Sequence, residues 1–385
     1  MDPIIIIGSG LAGYTVAREL RKLDAASPLT LICADDGHFY SKPNLSNAFK
    51  QGKGPDTLIN ASRAQMVAQL HARILHHTTV SAIEPAARQL RCDAGVLRYS
   101  RLVLAVGADP IRLPLAGDGA QGVLSVNSLQ DYTTFRARLE GKRQVVILGA
   151  GLIGCEFAND LAVAGGYRVT VIDPAPWPLS RLVPEPLGRD LQRALAAHGV
   201  DWRLDNAVDK VERDRRDSEG YRLHLQDGEE LEADLVLSAV GLKPRTALAA
   251  KAGLEVGRGI LVDRLLATST ENVYALGDCA EVAGLVLPYV MPIMHAGRAL
   301  AQTLAGTPTP VVYPAMPVVV KTFSHPTVVA PPAPGAAGQW QCEAVDGGMR
   351  ARFLGSGGEL LGFALSGAAS AEKQALTRLL PPLLA

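Results

Sequence analysis

Cysteine is scarce and scattered. The five residues at positions 33, 92, 155, 279 and 342 contain no CxxC or CxxxxC pair. That pattern suits neither a zinc site nor a secreted disulfide framework; a reducing, cytoplasmic compartment fits it best, and all five thiols are expected to be structural. A charge excess is also missing, since Lys+Arg and Asp+Glu both number 38. Without a basic surplus the chain is a poor candidate for binding nucleic acid or anionic membrane, although the balance says nothing against a local charged patch. No basic segment and cleavage site open the chain, and no run of 18 apolar residues occurs, so neither a signal peptide nor a membrane span is expected. None of the eight histidines falls in a ligand or triad arrangement, so no metal site is expected. Aromatics are sparse at 5%, yet 48% of the residues are hydrophobic, enough to bury large cores and to exclude general disorder.

Glycine, by contrast, is abundant at 38 residues, and two clusters of it head a partial internal repeat. Residues 4–20 read IIIIGSGLAGYTVAREL and residues 145–161 read VVILGAGLIGCEFANDL. Each is a β-branched run, a glycine loop and a pattern with helical spacing. Each is followed by a second apolar strand ending in acid, LTLICADD at 29–36 and VTVID at 169–173. Strand–helix–strand alternation predicts parallel sheets with right-handed crossovers, here in two dinucleotide-binding domains. Residues 101–110 and 234–245 read as buried strands ending in the glycine turns at Gly107 and Gly241, and residues 221–231 with the segment before them as a hairpin turning at Asp227-Gly228. The Pro/Gly/Ala-rich stretch 326–338 reads as a linker or extended crossing, followed by short strands and a helix near Ser370.

Gly8, Gly10 and Gly13 form GxGxxG between a strand and a helix. The first glycine permits the tight turn, the second lets a pyrophosphate approach the backbone, and the third lets helix and sheet pack closely. The helix N-terminus then offers free N–H groups and its positive dipole end to the phosphates. Asp35, about 20 residues on, stands where an acid binds a ribose hydroxyl pair. Gly149, Gly151 and Gly154 repeat the motif, with Asp173 in the matching place. An acid there favours NADH by repelling a 2′-phosphate, though Asp173 could instead cap the Pro-rich turn that follows it. Two dinucleotide sites suggest two cofactors, a tightly held flavin and an exchanging nicotinamide, with hydride passing from one to the other.

The late segment NVYALGDCAE at 272–281, taken with the two glycine loops and the strand-end turns, resembles the two-dinucleotide-domain flavoprotein reductases of the pyridine nucleotide-disulfide oxidoreductase superfamily. Within that superfamily ADDGHFYSKPNLS (34–46), GLIGCEFANDL (151–161), SAVGLKPRT (238–246) and MPVVVKT (316–322) are similar to the rubredoxin reductases and to their relatives that reduce flavorubredoxin. The resemblance implies an α/β fold with an FAD domain at 1–112 and 242–318, an NADH domain at 113–241 and a small α+β C-terminal domain at 319–385. It implies bound FAD held by the first loop (Gly8, Ser9, Gly10, Leu11, Ala12, Gly13), by Ala34 and Asp35, and by Lys42, Pro43, Val80, Ala105 and Gly107. Gly277 and Asp278, Val290 at the start of the next helix, and Lys321 complete that set. NADH falls to Gly149, Gly151, Leu152, Ile153, Gly154, Glu156, Asp173 and Gly241. Lys42, Glu156 and Lys321 are then the catalytic candidates, with the lysines reaching the flavin and Glu156 lying where nicotinamide meets it. Read without the resemblance, Lys42 is a solvated loop residue, Lys321 a snorkelling strand residue and Glu156 a helix-dipole partner. The SHP at 324–326 departs from the sequence usual after that lysine.

Disulfide reductases of this architecture need a cysteine beside the flavin, and residues 39–46 contain none. Electrons must therefore leave the flavin edge directly, towards a one-electron carrier. The chain has no Cys₄ set for iron, so the iron must come on a partner. The resemblance makes that partner rubredoxin, in support of an alkane hydroxylase or similar oxygenase. A flavorubredoxin or ferredoxin reductase, and a low-turnover NADH-sensing flavoprotein, are the alternatives. Lys50 and Lys53 are candidates for a basic docking face, and a monomer is expected.

Overall fold

The computed structural model describes residues 1–214 and 220–385; the join within the hairpin segment at 215–219 lies outside the described residues. The first glycine loop belongs to a five-stranded, wholly parallel sheet in the spatial order Val273–Ala275, Arg101–Leu104, Ile4–Ile7, Leu29–Ile32, Arg73–Leu75. Ile4–Ile7 is buried along its whole length, in one core with the helices Leu11–Leu23 and Val290–Leu304 and with the antiparallel strands Val80–Glu84 and Gln89–Cys92, which is why it is apolar throughout rather than alternating. Leu11–Leu23 and Val290–Leu304 pack on each other against this sheet, and Gly297 is the contact point: a Cβ there would lie 3.2 Å from that of Thr15.

The second loop belongs to a four-stranded parallel sheet ordered Val200–Leu204, Arg168–Asp173, Gln144–Leu148, Leu235–Ser238. Beside it Val208–Arg213, Tyr221–Leu225 and Glu230–Ala233 form an antiparallel sheet, turning at Gly228 (φ +90°) as its Asp-Gly sequence predicts. The chain enters and leaves this unit through one antiparallel ribbon, Ala108–Pro110 paired with Leu242–Pro244.

The C-terminal part of the fold is a five-stranded antiparallel sheet ordered Val318–Val320, Thr327–Ala330, Leu360–Gly367, Gly348–Leu354, Gln339–Val345. Of the linker or extended crossing expected at 326–338, the linker reading is corrected for 327–330, while 331–338 is irregular. Thr327–Ala330 is a fully buried inner strand, because its β-branched Thr and two Val fill the core and the prolines stand outside it, Pro326 just before and the rest from 331 on. Cys342 also departs from expectation. It lies exposed on the edge strand Gln339–Val345, most of whose residues face solvent, whereas the other four thiols are buried.

The cores are not divided as the sheets are. Tyr40, Leu45, Ala48 and Leu58, from the loop after the first unit's second strand, share one apolar core with the second parallel sheet and with Val320, Val329, Ala351 and Ala364 of the C-terminal sheet. Residues 40–58 are thereby wedged between both dinucleotide units and the C-terminal sheet. Among the described residues no helix is long and apolar enough to cross a membrane.

Candidate functional site

Both glycine loops have the geometry their sequences predict. Gly8 and Gly149 take φ of +117° and +103°, which favours glycine. A Cβ on Gly8 would strike the Ala105 carbonyl; one on Gly13 would strike that of Gly8, and one on Gly154 that of Gly149. Gly10 and Gly151 differ: nothing stands within 4 Å of an added Cβ, so their backbones border open space. These two glycines are the N-caps of Leu11–Leu23 and Leu152–Ala164, and neither helix has a side-chain cap. Free N–H donors at the positive end of a dipole, facing an open cradle, fit a pyrophosphate at each loop.

Asp35 accepts Ser9 Oγ at 2.9 Å and the Gly37 N–H at 3.1 Å through one oxygen, and its exposed carboxylate keeps acceptor capacity for a ribose. Asp173 does cap its turn: Oδ1 accepts the Ala175 N–H at 2.8 Å, while Oδ2 accepts the Ala150 N–H of the glycine loop at 2.6 Å. It therefore fixes the shape of the loop and of the turn together.

The strand ends bring the remaining candidates of the first unit together. Gly277 and Asp278 form a 3-10 turn past Val273–Ala275, with Gly277 packed on Ala12. Ala105 and Gly107 follow Arg101–Leu104, and Val290 opens its helix half exposed. Lys42 and Pro43 begin a 3-10 turn, Lys42–Asn47. Burial pulls the Lys42 ammonium below its ordinary pKa and pushes the Asp278 carboxyl above its own, each opposed by the other's charge. Ala34 is exposed just past Leu29–Ile32, Val80 is half-buried at the start of the antiparallel strand Val80–Glu84, and Gly241 (φ +116°) accepts the Ile111 N–H at the ribbon.

The other two catalytic candidates are directly paired. Lys321 Nζ lies 2.6 Å from Glu156 Oε2, and the Lys321 N–H donates to Oε1 at 3.0 Å. The Ser46 hydroxyl donates to the same Oε2. Lys42 makes no hydrogen bond to this pair among the described residues, so the three candidates divide into a Lys42–Asp278 group and a Glu156–Lys321 group.

Several residues at this junction escaped the sequence. Leu152–Ala164 is buried along most of its length, yet Glu156, Asn159 and Asp160 share one face at i, i+3 and i+4. Asn159 accepts from Ser324, and Asp160 accepts the Phe49 and Lys50 N–H groups at 2.8 and 3.1 Å. Polar residues at helical spacing in an otherwise apolar helix were the available signal. Burial pushes Asp160 up to about 6 despite those two N–H donors. Burial likewise raises Cys33 to about 12 and Cys279 to about 11, so neither is a thiolate at neutral pH. Among the described residues no cluster of His, Cys, Asp or Glu could hold a metal ion.

The model of the pyridine nucleotide-disulphide oxidoreductase family matches residues 2–303. The chain belongs to that family. A second model, for a rubredoxin-binding C-terminal domain, matches residues 310–380. The rubredoxin-NAD(+) reductase of Acinetobacter baylyi is 48% identical over 392 residues, covering 100% of this chain and 99% of the relative. That of Alcanivorax borkumensis is 46% identical, covering 100% of both. The crystal structure of a covalent putidaredoxin reductase–putidaredoxin complex superposes with a TM-score of 0.88 at 26% identity, over 99% of this chain and 94% of that one. Family members carry FAD and use NADH, and the two open glycine cradles fit these dinucleotides.

Proposed function

We propose that this protein is an FAD-dependent reductase that takes a hydride from NADH and passes single electrons to rubredoxin. The observation that carries this reading is the match along the whole chain to two rubredoxin-NAD(+) reductases, with a rubredoxin-binding segment at the C-terminal sheet. The absence of any cysteine between Phe39 and Ser46 supports it, because no dithiol stands between flavin and acceptor.

Bound FAD supplies the exchange between a two-electron donor and a one-electron acceptor. The chain's own residues bind and orient. The first loop and the N-terminus of Leu11–Leu23 receive one pyrophosphate, with Asp35 accepting from the ribose; the second loop and Asp173 do the same for NADH. Lys42, whose charge is coupled to that of Asp278, can balance negative charge developing nearby. Glu156 and Lys321 neutralise each other and tie the NADH-side helix to the C-terminal sheet. We divide the chain into an FAD domain at 1–112 and 242–318, an NADH domain at 113–241 and a C-terminal domain at 319–385; the Ala108–Pro110 and Leu242–Pro244 ribbon supports the first two bounds. The same reading makes the protein a cytoplasmic monomer serving an alkane hydroxylase or a similar oxygenase. Five free cysteines, four of them buried, suit a reducing compartment.

The test is anaerobic. The purified protein should be yellow, bleach with NADH, and reoxidise fast on adding rubredoxin. Fast reoxidation by ferredoxin or flavorubredoxin alone would move the acceptor, and slow bleaching with no acceptor turnover would favour an NADH sensor.

A further inference from the structure

The SHP segment that follows Lys321 has a structural use. Each polar side chain from Lys321 to His325 except Thr322 reaches the second dinucleotide unit: Lys321 meets Glu156, Ser324 meets Asn159, and His325 Nε2 lies 2.7 Å from Asp190 Oδ2. Asp190 is a residue of the helix Glu185–Ala197, and its Oδ2 also accepts the Ser366 hydroxyl at 2.6 Å. The turn itself is closed from within. The His325 N–H donates to the Thr322 carbonyl at 2.9 Å, and Thr322 Oγ1, fully buried, donates to the His325 carbonyl at 2.8 Å.

Only Phe323 faces away from this lock. It stands 55% exposed at the tip of the turn. Val319, 46% exposed, lies just before it on Val318–Val320, an edge strand of the C-terminal sheet. A single exposed hydrophobe needs no explanation. An exposed aromatic on a turn fixed by side-chain bonds to two helices is different, because its geometry is set before any partner arrives and little ordering entropy is lost on contact. Buried aromatic anchors of this kind dominate the energetics of protein interfaces. Phe323 is also two residues from Lys321 and inside the segment that matches a rubredoxin-binding domain.

We propose that Phe323 is an apolar docking anchor for rubredoxin, held in its presenting position by Ser324 and His325. The proposal rests on the rubredoxin reading above and adds the contact that reading lacks. In steady-state assays of the flavin-loaded protein, Phe323→Ala should raise the KM for rubredoxin about tenfold while kcat at saturating rubredoxin is kept. Its NADH-driven reduction of ferricyanide, a small acceptor that needs no docking surface, should be unchanged, and Phe323→Leu should restore most of the affinity. Ser324→Ala/His325→Ala should move the KM the same way, with little further effect when added to Phe323→Ala, because both act through one side chain. A rubredoxin KM within twofold of wild type in Phe323→Ala overturns the proposal, as does a ferricyanide rate that falls in parallel. Failure of the wild type to reduce rubredoxin at all would instead remove the functional reading beneath it.

Discussion

The ammonium of Lys321 lies 2.6 Å from the carboxylate of Glu156, joining the C-terminal sheet to the helix behind the second glycine loop. The two ends of this bond are unequal: the Glu156 side chain is 4% exposed and that of Lys321 is 21% exposed. Removing the lysine strands a buried charge, whereas removing the carboxylate leaves an ammonium that can reach water. Lys321→Met should therefore destabilise the protein by about 3 kcal/mol, Glu156→Gln by less, and the double variant should recover part of the loss. Urea unfolding of the four proteins checks this. Equal losses in the two single variants, simply adding in the double, would mean that the pair is not a buried unit.

The glycine loops allow a cleaner separation of roles. An added Cβ at Gly13 collides with the Gly8 carbonyl, and one at Gly154 with the Gly149 carbonyl, so each substitution deforms one cradle and leaves the other alone. Gly13→Ala should purify with little yellow colour. Gly154→Ala should keep its flavin absorbance but need at least about tenfold more NADH to bleach, a loss of roughly 1.4 kcal/mol in binding. A colourless Gly154→Ala protein with normal NADH binding would reverse the two assignments.

Much of this site was legible because its parts are local. A β-branched strand, three spaced glycines and a following acid sit within a few dozen residues, and each has a steric or electrostatic reason that does not depend on the rest of the fold. The late Gly277-Asp278 turn and the buried strand ends were legible for the same reason. What escaped is non-local. Glu156 and Lys321 are far apart in sequence, and no spacing rule says that they meet. Asp160 and Asn159 read as ordinary helix residues until the elements packed on their face are known. Thr327–Ala330 was hidden by its neighbours, since nearby prolines outweighed four residues of good strand propensity.

Lys50 and Lys53 are exposed, on the loop whose N–H groups Asp160 holds. The Lys53 carbonyl accepts from Tyr132 and Arg136, so this loop is fastened at both ends and Arg136 extends its positive surface. If it steers an acidic electron carrier, Lys50→Glu/Lys53→Glu should slow association with rubredoxin roughly tenfold at low ionic strength. The gap should narrow towards 0.5 M salt as screening removes the attraction from wild type and the repulsion from the variant. Stopped-flow reduction rates across a salt series measure both. A rate insensitive to salt in wild type, and unchanged in the variant, would remove this loop from the encounter surface.

Asp160, which faces the loop at 40–58, and Asp190, which faces the C-terminal sheet, should give stability profiles of opposite sign. Asp160 is pushed up to about 6 by burial, above its unfolded value near 4. The folded state then holds the proton more tightly, so the contribution is fully present below about pH 4 and is lost as pH rises through 6. Relative to wild type, Asp160→Asn should thus gain stability with rising pH over that window, by on the order of 2 kcal/mol. Burial would raise Asp190 as well, but the Ser366 hydroxyl and the His325 ring outweigh it and hold the carboxyl below its ordinary value. Its contribution is present above the unfolded pKa and is lost as pH falls. Asp190→Asn should consequently be weaker than wild type at pH 7, by about 2 kcal/mol for lost hydrogen bonds to a charged group, and the deficit should shrink below about pH 4. Chemical denaturation of the three flavin-loaded proteins between about pH 2.5 and 7.5 reads both slopes as differences, the Asp190 slope below about pH 4 and the Asp160 slope above it, so that titrations common to all three cancel. Differences that do not change with pH would mean that neither carboxyl titrates as its surroundings require. A positive slope for Asp160→Asn beside a negative one for Asp190→Asn would show that burial prevails over two backbone N–H donors and Lys50 at Asp160, whereas the Ser366 hydroxyl, the His325 ring and the Arg193 guanidinium prevail over burial at Asp190.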